Sequence, residues 1–310
     1  MDWDVLIAGG GPAGMTAAIY SGRAGWKTVV LDPLGGGGQA SVTDTIHNYP
    51  GFPSGVQGVE LMDLMARQAK TFGVTIEYDQ VSRVEKSGMI FNVTCESSSH
   101  TAKAVIYAAG TSPRKLGVPG EDKFIGRGIS FCATCDGALF RDKVVAVVGG
   151  GDSALTEAEF LTRFAREVLL IHRRDEFRAG LATIRRVIGN PKVRRLMSST
   201  IEEVRGEEQV KSVLVRDLKA NKVSEVAVDG VFLYVGSEPN SAPVKGLVET
   251  NEGGFVKTEE DMTTSTFGLF AAGDVRVKSL RQVATAVGDG AMAAWSAERY
   301  LLENRLGAEN

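Results

Sequence analysis

Residues 5–14 read VLIAGGGPAG, an apolar run followed at once by a loop with four glycines in six positions. The next ten residues, 15–24, contain no proline and are rich in alanine, which favours a helix. A strand, a glycine loop and a helix in this order form a dinucleotide-binding fingerprint, because glycine lets backbone N–H groups approach a pyrophosphate at the helix N-terminus. The candidate contacts in this loop are Gly9, Gly11, Pro12, Ala13 and Gly14.

A second copy of the fingerprint begins at Gly149. The apolar run 144–148 precedes it, the helical stretch 154–164 follows it, and Ala154 stands at the third glycine position, an allowed variant. Two copies predict an α/β protein with two Rossmann-like dinucleotide-binding domains. The candidate contacts in the second loop are Gly149, Gly151, Asp152 and Ser153.

The two copies differ where the next strand ends, at the same distance from the first glycine of each loop. The first copy has Asp32, an acceptor for ribose hydroxyls that repels a 2′-phosphate, so we expect a dinucleotide without that phosphate, FAD. The second copy has guanidinium groups, which pair with a phosphate dianion, so we expect NADPH there, although surface charge is the alternative. The candidate phosphate-binding residues are His172, Arg173, Arg174 and Arg178.

A third element lies near the C-terminus, where a short apolar strand ends in Gly273-Asp274 and a long helical pattern follows. A carboxylate there can hold the ribityl hydroxyls of a flavin. Because residues from both ends of the chain then surround one cofactor, we expect the second domain to be inserted into the first. The expected FAD-binding domain comprises 1–113 and 243–310, and the expected NADPH-binding domain comprises 114–242, with hinges near Pro113 and Pro239 to Pro243.

A pair of cysteines, Cys132 and Cys135, lies shortly before the second glycine loop and is followed by Asp136. This spacing allows a short disulfide and lowers the pKa of one thiol, which produces a nucleophilic thiolate at neutral pH. The adjacent acid is a candidate proton donor. Half of a zinc site is the other interpretation, but Cys95 and the three histidines supply no second ligand pair, so we expect no metal.

Composition limits the partners. The chain has 310 residues, which suggests about two domains, and 35 basic against 38 acidic residues give a net charge of -3, so nothing favours nucleic acid. No basic leader and no apolar stretch near the roughly 18 residues of a spanning helix are visible, so we expect no membrane association and a cytoplasmic location. A reducing compartment suits a disulfide that turns over.

The ordered motifs together resemble the low-molecular-weight thioredoxin reductase family, and the similarity covers almost the whole chain. The motifs that carry it are Gly9 to Gly14, Gly37-Gly38-Gln39, Asn48-Tyr49-Pro50-Gly51, Ala108-Ala109-Gly110, Cys132 to Asp136, Gly149 to Ala154, His172-Arg173-Arg174, Gly273-Asp274 and Arg281-Gln282.

The resemblance implies a homodimeric enzyme that passes hydride from NADPH to FAD, then electrons to the Cys132–Cys135 disulfide, and finally reduces thioredoxin by exchange. It implies that Cys135 faces the flavin, that Cys132 attacks the substrate disulfide and that Asp136 is the acid. The further cofactor-binding residues that it implies are Gly38, Gln39, Asn48, Val81, Ala108, Gly110, Gly273, Asp274, Arg281 and Gln282.

Some features depart from the family pattern. Asp32 stands where many members lack an acid, Ser237 replaces a histidine that some members carry, and the run Gly35 to Gly38 is longer in glycine than usual. Three other functions stay open on the residues alone: a flavin dithiol oxidase, a reductase of another disulfide protein, and a redox-sensing nucleotide-binding regulator. The arginines argue against the oxidase, and the pair of matched nucleotide loops argues against the regulator.

Overall fold

The chain divides into two compact units in the structure, a computed structural model that describes residues 2–43, 45–46 and 48–306, without the side chains of 305 and 306. Unit 1 comprises Met1–Ser112 and Glu238–Asn310, and unit 2 comprises Pro113–Ser237. The prolines predict that the chain passes from one unit to the other after residues 113 and 242. In the structure it does so after residues 112 and 237. The second crossing lies earlier because the segment around Asn240 bonds to unit 1, where Asn240 Nδ2 donates to the carbonyl of Ala109 at 2.9 Å.

The elements are numbered in chain order over these described residues. The strands are β1 (Trp3–Ala8), β2 (Thr28–Leu31), β3 (Thr45–Ile46), β4 (Val56–Gln57), β5 (Thr75–Glu77), β6 (Val81–Ser87), β7 (Ile90–Cys95), β8 (Ser99–Tyr107), β9 (Thr111–Pro113), β10 (Ile129–Ser130), β11 (Val144–Val148), β12 (Glu167–Ile171), β13 (Val193–Leu196), β14 (Ser199–Gly206), β15 (Val210–Asp217), β16 (Lys222–Ala227), β17 (Gly230–Leu233), β18 (Ser237–Pro239) and β19 (Leu269–Ala271). The helices are α1 (Pro12–Arg23), α2 (Gly38–Ser41), α3 (Gly58–Thr71), α4 (Glu121–Phe124), α5 (Ala133–Asp136), α6 (Asp152–Leu161), α7 (Leu181–Ile188) and α8 (Val283–Leu306). Short 3₁₀ helices cover Gly137–Phe140, Ala242–Val244 and Gly273–Val275.

Unit 1 is built on a sheet with the order β5-β2-β1-β8-β7-β6, in which β19 also pairs with β8. The pairs β1–β2, β1–β8 and β8–β19 are parallel, and Ile7 lies opposite both Val30 and Ile106. Strands β6 and β7 extend the sheet as an antiparallel meander. The strand order reverses at β1, and the crevice at the carboxyl end of such a strand is where open α/β sheets bind ligands.

Both faces of the unit 1 sheet are covered, as a parallel sheet requires. Alternate residues of a strand point to opposite faces, so Ile7 packs in the cluster that contains α1 and α8 while Leu6 packs in the cluster on the other face. Residues 5–8 are at most 1% exposed. The quartet of apolar residues before the first glycine is therefore a central buried strand.

Unit 2 repeats the arrangement with the order β10-β17-β11-β12-β13, and all of these pairs are parallel. Val147 lies opposite Leu170 on one side and Phe232 on the other. An antiparallel sheet, β14-β15-β16, covers one face. A glycine loop follows the central strand of each parallel sheet, which confirms the predicted α/β class with a second Rossmann-like unit inserted into the first. Across the described part of the chain, no helix is both long and apolar enough to span a membrane.

Candidate active site

The cysteine pair forms a disulfide in unit 2. Cys132 is the N-cap of the one-turn helix α5, and its Cα lies 5.3 Å from that of Cys135. The backbone N–H of Cys135 donates to Sγ of Cys132 at 3.2 Å. An N–H group aimed at a sulfur stabilises the thiolate that reduction releases, because hydrogen bonds to the charged form favour it. Both side chains are half-buried.

Asp136 is linked to this pair through Ser130, a residue that the sequence interpretation missed. Ser130 Oγ donates to Oδ2 of Asp136 at 2.6 Å and accepts from the backbone N–H of Cys132 at 3.1 Å. Ser130 is 6% exposed and ends β10, so the sheet fixes its position. The carboxyl group predicted as the acid is therefore held beside the first cysteine.

The first glycine loop turns from β1 into α1 around Gly9, whose φ of 107° favours glycine. A Cβ on Gly9 would lie 2.5 Å from the carbonyl O of Ala108, and one on Gly14 would overlap the carbonyl O of Gly9. The backbone of the first glycine loop therefore lies so close to the end of β8 that a side chain would not fit there. Gly11 caps α1, and Pro12 occupies the first helical position, where its missing N–H costs nothing.

Asp32 is buried at the end of β2, and much of its hydrogen-bonding capacity serves the neighbouring loops. Oδ2 accepts from Gly10 N–H at 2.7 Å, while Oδ1 accepts from Leu34 N–H at 2.9 Å and Gly36 N–H at 3.1 Å. A carboxylate oxygen accepts two donors, so Oδ2 keeps room for one more. A ribose contact through that oxygen stays a prediction. The glycine run of 35–38 adopts positive φ at all four positions, which accounts for its composition.

Asp274 is the feature of unit 1 that most clearly points to a ligand. Its Oδ1 is a buried side-chain oxygen with no hydrogen-bond partner in the structure. Burial raises the pKa of this carboxyl, and the charges of Lys278 and Arg281 oppose that rise. A buried carboxylate oxygen without a donor is costly, so it needs a polar group that the protein alone does not supply.

The turn before Asp274 is fixed by a buried charge cluster, which is also absent from the sequence interpretation. Oδ2 of Asp289, on α8, accepts from the backbone N–H of Gly273 at 3.0 Å. Lys278 Nζ lies 2.7 Å from the same carboxylate and Arg276 lies 3.2 Å from it. The Lys278 side chain is 7% exposed, so its charge is neutralised inside the unit rather than by water.

Two pairs of predicted flavin residues in unit 1 are joined by hydrogen bonds, and Gln39 bonds to the backbone of a neighbouring strand. Asn48 Nδ2 donates to Oε1 of Gln282 at 2.8 Å, although 234 positions separate them. Gln39 donates to the carbonyl of Thr111, and Arg281 donates to that of Asp274 at 3.4 Å. The remaining four occupy these places: Gly38 begins α2, Ala108 follows β8 beside Gly9, Gly110 adopts a φ of 63°, and Val81 begins β6 with its side chain in the core.

The second glycine loop has the same plan. Gly149 has a φ of 153° and its N–H donates to the carbonyl of Ile171 at 3.0 Å, while Gly151 caps α6. A Cβ on Gly151 would meet nothing within 4 Å, so there is open space beside it. Oδ1 of Asp152 accepts from Gly180 N–H at 2.9 Å, and Ser153 is exposed in the first turn of α6.

The residues after β12 divide into one buried ring and three exposed cations. His172 is 5% exposed and stacks on Phe177 with ring centroids 5.6 Å apart. Burial lowers the pKa of His172, and the nearby charges lower it further; these belong to Arg178, Arg174 and Arg173. The arginine side chains are exposed, and Arg178 N–H is bonded to the carbonyl of Gly150 at 2.7 Å. The three arginine side chains therefore lie beside the second glycine loop, and the buried His172 ring packs against that loop.

These two loops fit the expected cofactors. The first loop offers its glycine turns, and unit 1 adds the buried carboxylate of Asp274, whose Oδ1 has no partner in the structure, and the acidic side chain of Asp32. The second offers open space at Gly151 and a group of guanidinium side chains. Within the described residues, no group of three or more metal-binding side chains is placed to hold a metal ion.

A comparison with protein families agrees with this site. Residues 3–290 match the pyridine nucleotide-disulphide oxidoreductase family. The chain belongs to that family. Its two Rossmann-like units and its disulfide agree with the family's description.

Individual relatives narrow the class. The chain is 44% identical over 303 residues to the thioredoxin reductase of Treponema pallidum, covering 97% of each chain. It is 46% identical over 301 residues to the thioredoxin reductase of Mycolicibacterium smegmatis, again covering 97% of each. The crystal structure of thioredoxin reductase from Streptococcus pyogenes has a TM-score of 0.91 and 44% identity, over 97% of this chain and 98% of that one.

These findings confirm the predicted low-molecular-weight thioredoxin reductase family. They also confirm the predicted enzyme class, an NADPH-dependent flavoprotein disulfide oxidoreductase, and its cofactors, FAD and NADPH.

Proposed function

We propose that this chain reduces the disulfide of thioredoxin with electrons from NADPH, and that Cys132 and Cys135 are the groups that carry them. The observation that supports this most strongly is the bonded cysteine pair, which is held to the carboxyl group of Asp136 through Ser130. FAD and NADPH, when bound, supply hydride transfer and deliver an electron pair to this disulfide.

Each cofactor is held by one unit in this proposal. Unit 1, with the loop at Gly9 and the carboxyl group of Asp274, binds FAD. Unit 2, with the loop at Gly149, binds NADPH. The arginines at positions 173, 174 and 178 pair with the 2′-phosphate, because guanidinium groups form charge-assisted hydrogen bonds to phosphate.

The chemistry at the cysteines needs a nucleophile and a proton. The thiolate of Cys132 attacks one sulfur of the substrate disulfide, a mixed disulfide forms, and the substrate's other sulfur leaves as a thiolate. Asp136 gives its proton to that leaving thiolate, and Ser130 holds the carboxyl group in place. The thiolate of Cys135 then attacks Sγ of Cys132, which releases the second substrate sulfur as a thiolate that takes its proton from water, and restores the protein disulfide.

We further propose that the enzyme acts in the cytoplasm as a homodimer, with no nucleic acid or membrane partner. Met292 and Trp295 on α8 support an interface between copies, since they are 40% and 47% exposed in the single chain. Light scattering of the purified protein tests this point: a mass of about 33 kDa rather than twice the chain mass would contradict it.

A steady-state assay tests the function directly. The purified yellow protein is mixed with NADPH or NADH and with one of three substrates: a thioredoxin, oxidised glutathione or a small disulfide. Oxidation of NADPH that depends on thioredoxin supports the proposal. A faster rate with NADH contradicts the arginine assignment, and NADPH oxidation that depends only on another disulfide contradicts the substrate.

A further inference from the structure

The two residues between the cysteines are each held by a side chain from a different element of unit 2. The backbone N–H of Ala133 donates to Oη of Tyr234 at 2.6 Å. The hydroxyl of Thr134 donates to Oε2 of Glu157 at 3.4 Å. Tyr234 follows β17 and Glu157 lies on α6, so the turn of the disulfide has two anchors outside itself.

Tyr234 is itself firmly placed. Its backbone N–H donates to the carbonyl of Val148 at 2.8 Å, and a Cβ on Gly149 would lie 2.6 Å from its carbonyl O. The residue therefore connects the end of the central strand, where the nucleotide loop begins, with the first N–H of α5.

The hydroxyl of Tyr234 is suited to accept this hydrogen bond at neutral pH. Burial raises the pKa of Tyr234, and the charge of Glu157 adds to that rise, so the side chain stays neutral at neutral pH. Ala133 is fully buried, and a buried N–H without a hydrogen-bond partner is destabilising. The bond is thus the means by which this turn satisfies that donor.

The geometry points to Tyr234 as a positioning residue for the redox pair: by holding Ala133, it keeps the N–H of Cys135 aimed at Sγ of Cys132 and so stabilises the reduced form. This inference rests on the proposed role of the cysteine pair. A thiolate at Cys132 gains most from the N–H at 3.2 Å if the single turn of α5 cannot rotate. Thr134 and Glu157 provide the second, longer anchor.

The experiment measures the cysteine pair without NADPH or thioredoxin. The protein is equilibrated with reduced and oxidised glutathione, where two glutathione thiols become one glutathione disulfide as Cys132–Cys135 becomes a dithiol. The two protons pass to the cysteines. For Tyr234→Phe, we expect the equilibrium constant to shift about tenfold toward the protein disulfide, equivalent to about 30 mV for a two-electron couple. We also expect the pKa of the Cys132 thiol to rise, as read from the pH dependence of its alkylation rate.

Tyr107→Phe is the matched control. Tyr107 is buried in unit 1 and its hydroxyl donates to the carbonyl of Asn240 at 2.5 Å, so its loss removes a comparable bond away from the cysteines. We expect no shift in the glutathione equilibrium for this variant. Thr134→Val, which removes the longer anchor, should shift the equilibrium in the same direction as Tyr234→Phe but less.

Two results would overturn the inference. One is a Tyr234→Phe protein whose equilibrium constant and Cys132 pKa both stay within twofold of the wild type. The other is an equal shift in Tyr107→Phe, which would indicate a general loss of stability. Neither readout uses NADPH or thioredoxin, so the proposed function can fail while this inference holds, and the reverse.

Discussion

Ser130 Oγ lies 2.6 Å from Oδ2 of Asp136, and the same oxygen accepts from the backbone N–H of Cys132 at 3.1 Å. One buried hydroxyl therefore ties the candidate acid to the candidate nucleophile. The carboxyl group lies four positions after Cys132 but is held through a residue that precedes it. This arrangement places the candidate proton donor and the disulfide in one hydrogen-bonded loop.

The first prediction concerns the acid. Asp136→Asn keeps the size of the side chain but cannot donate the same proton, so thioredoxin reduction should slow by about 10²–10⁴-fold, the usual contribution of general acid catalysis. Bleaching of the bound flavin by NADPH should stay near the wild-type rate, because it precedes the exchange step. Stopped-flow absorbance and a steady-state thioredoxin assay measure the two rates. Equal losses in both would argue against an exchange-specific role.

The second prediction concerns nucleotide preference. Arg174→Ala should raise KM for NADPH about tenfold, since a charge-assisted hydrogen bond contributes about 1.5–3 kcal/mol and the site is exposed to salt. KM for NADH should stay unchanged. Arg185→Ala removes the same charge from an exposed position of α7 and serves as the control. The phosphate assignment fails if the control and Arg174→Ala raise KM for NADPH equally.

The third prediction concerns Asp274. Asp274→Asn should weaken FAD binding by about 1.5–3 kcal/mol, or roughly 10- to 100-fold, because a charged acceptor is lost. Titration of the apoprotein with FAD, followed by flavin fluorescence, gives this value. Asp63→Asn, an exposed change on α3, is the control and should leave the affinity unchanged. Unchanged FAD affinity in Asp274→Asn would remove Asp274 from the flavin site.

The same carboxyl group makes a pH prediction for the apoprotein. Burial raises the pKa of Asp274 above its ordinary value of 3.8. In the pH window between 3.8 and the raised pKa, the folded state therefore binds more protons than the unfolded state. Stability from this group is therefore present below pH 3.8 and is lost as the pH rises through the folded pKa. Urea unfolding at several pH values should show that Asp274→Asn loses less stability than the wild type over this window. Parallel curves for the two proteins would contradict the burial effect.

The fifth prediction compares two glycines of α8. A Cβ on Gly290 would overlap the carbonyl O of Ala13, whereas one on Gly288 meets nothing within 4 Å. Gly290→Ala should therefore destabilise the protein by about 2–3 kcal/mol and weaken FAD binding, since it separates α8 from α1. Gly288→Ala should stabilise the helix by up to about 1 kcal/mol. Thermal unfolding distinguishes them, and equal melting temperatures would contradict the close approach.

Local patterns in the sequence were sufficient to locate both glycine loops, because strand, turn and helix follow one another within about fifteen residues. The family resemblance assigns both Asn48 and Gln282 to the flavin site, but nothing in the sequence predicts the hydrogen bond between them, because no local rule joins positions so far apart. Asp32 was interpreted as a ribose acceptor, and the sequence could not reveal that Gly10, Leu34 and Gly36 compete for its oxygens.

The residues that support the site were missed for the same reason. Tyr234 directly follows a buried strand and resembles an ordinary core residue in the sequence, whereas in the structure its hydroxyl accepts from the N–H of Ala133. Asp289 lies among alanines and glycines of a helix, and only the fold brings Lys278 and Gly273 to it. The available signal in the sequence is a charged residue among small residues in the first two turns of a helix.

Thiol counting during anaerobic reduction tests the central claim most directly. The oxidised protein, unfolded in denaturant, should show one thiol, that of Cys95, because its three cysteines include one disulfide. After reduction with excess NADPH, which is then removed, the same count should give three thiols. Treatment with excess oxidised thioredoxin, itself removed before counting, should return it to one. If NADPH bleaches the flavin while the count stays at one, electrons do not reach Cys132 and Cys135, and the account is wrong.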